Sequence, residues 1–148
     1  MAADKERTPE LAVDYGMSVE EWVEAGWYDQ KDDRIISLNF PATQRGEAQL
    51  RPRLVCFECI VTTESVLADL GILKLRVAKL PEVLAFGAKH PNRQREYPVV
   101  GLGSSLQDPD GSTRYPELDE ADGLRRLNLA SDSGGWNSHT RFLAFPES

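Results

Sequence analysis

The sequence predicts an α+β domain of short helices and small antiparallel sheets, with a long irregular segment near its C-terminal end. Three observations carry this. Ser18-Val19-Glu20-Glu21 is a capping box and Leu80-Pro81-Glu82 a helix start, and each opens only a short apolar pattern. Runs such as residues 53–62 and 141–145 are β-branched or apolar in the manner of strands. From Asp108 to Gly135 the helical signals give way to recurrent Gly, Asp, Ser and Asn.

Taken in order, residues 1–10 are mostly polar and are expected to be flexible. The helix opened by Ser18 carries Val19, Trp22 and Val23 and stops at Gly26. It is too short to stand alone, so Trp22 must dock on a core. Residues 29–33 are a charged turn, residues 34–40 (RIISLNF) read as a strand ended by Pro41, and residues 43–49 as a loop. Residues 64–70 read as a helix with Thr63 or Ser65 as cap and Gly71 as stop, and residues 73–78 as a strand. In the next helix Pro81 suits the first position, Glu82 complements the N-terminus, and Lys89 and His90 occupy the last turn before Pro91. Residues 98–103 form a short buried strand and Asp108-Pro109-Asp110-Gly111 a turn. Short alternating pieces follow at residues 115–118 and 127–129, and the apolar run 141–145 is a closing strand. A final strand that closes a sheet would hold the irregular stretch before it in order.

The 148 residues suit one domain with its own core. A net charge of −7 and a pI near 4.9 argue against electrostatic nucleic-acid binding, which needs a basic face. No window is long and apolar enough to span a bilayer, and the charged start has no secretory signal. The expected place is therefore the cytoplasm, or a surface reached by a route the sequence does not reveal. Cys56-Phe57-Glu58-Cys59 invites a metal or redox reading, but zinc needs two further ligands and His90 and His139 stand apart. The flanks read as strand, which points the thiols to opposite faces. They are taken as structural cysteines in a reducing compartment, and no cofactor or metal is expected.

The second half resembles the variable proteins of diversity-generating retroelements. The matching residues are Leu80-Pro81-Glu82-Val83-Leu84-Ala85-Phe86-Gly87 and the run from Pro91 to Ser104. Asp108-Pro109-Asp110-Gly111, Asp122-Gly123, Leu127 with Leu129, Trp136, and Arg141-Phe142-Leu143-Ala144 complete the match, with a weaker one at Asn39-Phe40-Pro41-Ala42-Thr43. The resemblance implies a C-type-lectin-like fold, usually without calcium, that tolerates variation over one surface. In such systems a reverse transcriptase copies a template repeat with errors at adenines. Asn codons thereby scatter into many residue types, but not Lys, Glu, Gln, Met or Trp.

Within residues 106–145 the implied ligand-binding positions are Ser112, Thr113, Asp119, Ala121, Leu124, Asn128, Ala130, Ser131, Ser133, Gly134, Asn137, Ser138, His139 and Thr140. Trp136, Arg141 and Phe142 are the implied framework. Leu106 stands where the family often has Trp, and Ser131-Asp132 where it tends to have an aromatic pair. Glu117 and Glu120 cannot come from an Asn codon and are fixed or outside the pattern. The expected function is binding of varied macromolecular targets, a protein or surface ligand, rather than catalysis. The alternatives are a calcium- or carbohydrate-binding lectin-like domain and a hydrolase built on paired carboxylates among Asp108, Asp110, Glu117, Asp119, Glu120 and Asp122. Oligomeric state is left open.

Overall fold

The computed structural model describes the backbone of residues 2–147 and the side chains of residues 8–147. The N-terminal segment does not follow the flexible expectation for residues 1–10: β1 (Ala2–Arg7) pairs antiparallel with residues 53–57. Met1 lies outside the described residues. β2 (Leu11–Asp14) buries Leu11 and Val13, and α1 (Val19–Ala25) starts at the predicted capping box. Glu21 N–H donates to Ser18 Oγ at 3.1 Å and Ser18 N–H to Glu21 Oε1 at 2.9 Å. Trp22 Nε1–H donates to the Asp14 carbonyl at 3.1 Å and docks this short helix on the core.

β3 (Gln30–Lys31) leads into residues 34–40, which form turns instead of the expected strand. The Asp32 carboxylate takes the Arg34 N–H at 2.9 Å and also its guanidinium, and the Asn39 and Phe40 N–H groups both reach the Ile36 carbonyl at 3.1 Å. Local side-chain acceptors thus outcompete a ladder, and Leu38 is left exposed. A strand appears where a loop was expected: β4 (Glu47–Leu50) pairs antiparallel with β2 in a separate two-stranded sheet. β5 (Arg53–Phe57) is shorter than the expected 53–62, so Cys56 is buried in it and Cys59 lies exposed beyond its end.

α2 (Thr63–Ile72) begins one residue earlier than predicted, because Thr62 is the cap and Ser65 its reciprocal partner. Gly71 lies inside this helix; the turn out of it comes at Lys74, with φ at +59°. β6 (Leu75–Val77) and α3 (Leu80–Lys89) follow, with Pro81 in the first turn. A 3-10 turn, Arg93–Arg95, leads to β7 (Val99–Val100) and β8 (Leu106–Gln107).

The largest correction concerns the segment expected to be irregular. It is a long hairpin of β9 (Thr113–Ala121) and β10 (Leu124–Ser131), closed by Asp122-Gly123 with φ of +54° and +81°. Two consecutive positive φ values suit the twist of a two-residue hairpin turn. A half-buried strand needs an apolar residue only at every second position, and here Arg, Asp and Glu fill the others. β11 (Arg141–Pro146) is the last strand.

Among the described residues one sheet holds nine strands along the path β1-β5-β11-β7-β9-β10-β3, with β6 on β11 and β8 on β9. The fold is α+β. β11 is central, antiparallel to β5 and parallel to β7. Its Leu143 and Phe145 enter one core with α1, α3 and β2, while Phe142 and Ala144 enter a second core with Val66 and Leu70 of α2. Arg125 is buried in the first layer. Its guanidinium donates to the carbonyls of Gly26 at 2.7 Å, Pro91 at 2.9 Å and Gly87 at 3.2 Å, and to Gln94 Oε1 at 3.0 Å. It therefore ties the exits of α1 and α3 to the hairpin.

Candidate ligand-binding surface

The hairpin has one face in the core and one outside it. Pro116 and Leu118 of β9 pair with Leu129 and Leu127 of β10, and Leu118, Leu127 and Leu129 lie in the first core. Side chains alternate along a strand, so Thr113, Tyr115, Glu117, Asp119 and Ala121 share the opposite face with Leu124, Arg126, Asn128 and Ala130. Six of the residues singled out in the sequence are on this face: Thr113, Asp119, Ala121, Leu124, Asn128 and Ala130. Ser131, opposite Arg114, has the other parity, and Ser112 lies in the turn before β9, with its hydroxyl on Asp110 at 2.7 Å.

The centre of the face is a polar cluster. Asp119 accepts two bonds from Arg126, from Nε at 2.9 Å and Nη2 at 2.7 Å, and one from Asn128 Nδ2 at 2.8 Å. Glu117, two residues along the same face, is half-buried. Burial pushes its carboxyl up to about 7, the Asp119 charge adds to this, and Asn128 and Arg126 work in the other direction. Arg126 was absent from the sequence-derived set, although its parity with Asn128 marks it as a member of the same face.

The chain then crosses this face. Ser131 lies level with Arg114, whereas Arg141 lies opposite Val99 and so level with Leu118. Between them residues 132–140 travel four residues back along the sheet, about 13 Å at ~3.3 Å per residue. Trp136 pins the crossing. It is buried in the second core, with its ring edge-on to Phe142 at 5.9 Å and to Tyr115 at 6.1 Å. Its backbone exchanges two hydrogen bonds with Val61, at 2.8 and 3.0 Å. Its Nε1–H donates to Thr63 Oγ1 at 2.9 Å, and that hydroxyl donates to Asp132 at 3.0 Å. Phe142 is fully buried, and the Arg141 guanidinium stacks on Tyr97 at 4.4 Å.

The crossing exposes Ser133, Gly134, Asn137, Ser138 and His139. Asn137 is also a local fastener: its Oδ1 accepts the His139 N–H at 2.9 Å. Two members of the sequence-derived set are corrected. Thr140 is buried, with its hydroxyl turned back to Asn137, and offers no surface to a ligand. Gly134 has φ at +81°, where most side chains are strained, so it is a poor place for free variation. Ala130 is half-buried against the second core, which limits it to small residues.

The chain matches no protein-family model, no curated protein and no solved structure.

Three of the acidic residues considered for catalysis or calcium are engaged in local pairs. Asp108 is held by Arg34 and Arg114, Asp119 by Arg126, and Asp110 by the hydroxyl and N–H of Ser112. Among the described residues no group of three or more His, Cys, Asp or Glu side chains is placed to hold a metal ion. No helix among them is long and apolar enough to cross a membrane.

Proposed function

We propose that this chain is a ligand-binding protein of the diversified, variable-protein type, with a C-type-lectin-like fold. Its binding surface is the outer face of the β9–β10 hairpin together with the exposed part of residues 132–140. One observation carries the reading. The resemblance and the codon pattern, neither of which contains strand parity, imply Thr113, Asp119, Ala121, Leu124, Asn128 and Ala130, and these six share one face. The framework below that face is independent of them: Leu118, Leu127 and Leu129 fill the core, and Trp136 and Phe142 anchor the crossing. Changes on the outer face away from Ala130, which packs on the second core, therefore leave the packing intact, and a preordered backbone lowers the entropy lost on binding. The mixture of Ser, Asn and His beside aromatic Tyr115 suits an adaptable protein-binding surface.

The test is long-read sequencing of the native gene and its flanks. The expected result is a near-repeat of the segment encoding residues 106–145, differing where it carries adenines, beside a reverse-transcriptase gene. A locus with neither removes diversification from the reading. The half-buried Glu117 beside Asp119, which is paired with Arg126, favours a second reading, a carboxylate hydrolase in which Glu117 is the acid. Hydrolysis of aryl glycosides that disappears in Glu117→Gln would establish it, and an inactive wild-type protein would dismiss it.

A further inference from the structure

On the side of the sheet that carries α1 and α3, a cavity of about 570 Å³ opens away from the hairpin's outer face. Its size falls within the roughly 300–1,000 Å³ typical of small-molecule sites. Three separate segments build it: the turn into α1, the loop 37–44, and the start of α3 with the adjoining Gly103-Ser104-Ser105. Its walls are mainly apolar, from Met17, Val19, Phe40, Pro41, Leu80 and Pro81. The segments that supply Phe40, Leu80 and Ser104 are among those singled out in the sequence, and the hairpin surface makes no use of them.

The charge of the lining is unusual for this chain. On a protein of net charge −7, Lys79 is the one charged residue among the lining residues. The Lys79 ammonium donates to Gln44 Oε1 at 3.2 Å and keeps further protons to give. Ser104 Oγ accepts the Leu80 N–H at 2.8 Å, which leaves its own proton for a partner. Acids on the neighbouring elements already have partners: Glu82 also accepts the Lys79 backbone N–H at 2.8 Å, and Glu21 the Ser18 N–H at 2.9 Å. Glu82 is fully buried under Arg76 and Tyr15, Glu20 is held by Ser37, and Asp14 by the Gly16 N–H.

We propose that this cavity binds a small amphipathic carboxylate, its apolar body against Phe40, Met17 and Leu80 and its carboxylate on Lys79 and Ser104. An apolar wall with one cation and convergent donors selects for one negative charge and selects against a cation of the same shape.

The experiment is isothermal titration calorimetry of the full chain with decanoate, decanol and decylamine. Decanoate is expected to bind at least tenfold more tightly than either. Lys79→Met should abolish that preference while leaving decanol unchanged. Lys79 makes no side-chain cap to α3, so the variant should fold, with an unaltered melting temperature as the check. Ala42→Trp, on the exposed rim, should block all three probes. Equal affinity for the three probes, a decanoate preference that survives Lys79→Met, binding that survives Ala42→Trp, or no binding at millimolar decanoate each overturns the proposal.

Discussion

Glu117 is the residue whose environment is furthest from that of a free side chain on the proposed surface. The folded chain holds its proton up to about pH 7, whereas an unfolded Glu titrates near ~4.3. Between those values the folded state binds the additional proton, so stability falls as pH rises through the window and the loss is complete above it. Partial exposure screens the effect to on the order of 2 kcal/mol. Glu117→Gln removes the ionisable group. Urea denaturation should therefore find the variant as stable as wild type near pH 5 and more stable at pH 8, by about that amount. Equal stability at both pH values would show that water reaches the carboxylate freely. Gly135 makes a different residue-scale case. Its φ is +85°, and a Cβ there would meet Ile60 Cγ2 at 2.8 Å and the Val61 carbonyl at 3.0 Å. Gly135→Ala should cost about 2–4 kcal/mol, because strain adds to the loss of the Val61–Trp136 bridge. Gly134→Ala meets open space and should cost about 1 kcal/mol, from backbone strain alone. Chemical denaturation of the two variants side by side measures the difference.

At the scale of the element, the hairpin is decided by parity. Leu127 is fully buried against Leu118, while Asn128, the next residue, points out. Leu127→Ala should destabilise the chain by about 2–5 kcal/mol. Asn128→Ala forfeits its bond to Asp119 and its interaction with Glu117, both on the outer face, and should stay within about 1.5 kcal/mol. Equal losses at the two positions would contradict the assigned faces. The same hairpin shows what the sequence conveys and what it withholds. The Ser18–Glu21 box, the helix from Leu80 and the final apolar strand are legible because each depends on neighbours in the chain. Residues 113–131 are legible only in pieces, at 115–118 and 127–129, because a strand with charges on one face carries half the apolar signal of a buried one, and its ladder partner gives no local cue. Residues 34–40 fail in the opposite sense. The apolar pattern is present, but Asp32 and Asn39 offer the backbone nearer acceptors and donors than any strand does. In the candidate surface, the resemblance supplied the positions, and only the pairing register assigned them to faces. Arg126 was missed because its role exists through Asp119 across the strand pair.

For the molecule as a whole, the sheet is the partition between two cores, and β11 is the strand both depend on. Leu143 and Phe145 serve one side, Phe142 and Ala144 the other, and all four are at most 1% exposed. β5 and β7 flank β11, while β1 and β3 lie at the ends of the path. Such an arrangement orders the stability of its parts. The amides of Phe142 to Phe145 that enter the ladder can exchange with solvent only when both cores open, so they should report the global unfolding free energy. Residues 132–140 cross the face on a few anchors, chiefly Trp136 and Asp132, and should exchange through local opening with a much smaller free energy. The loop 37–44, held by turns on the cavity rim, should behave likewise. Native-state hydrogen exchange at increasing urea would separate these classes. Convergence of the β11 amides with those of Leu54 and Val55, while residues 132–140 stay apart and insensitive to urea, is the expected pattern. If residues 132–140 instead joined the β11 class, the crossing would be part of the cooperative core. Variation on it would then be paid in global stability, and the proposed division between a fixed framework and a free surface would fail.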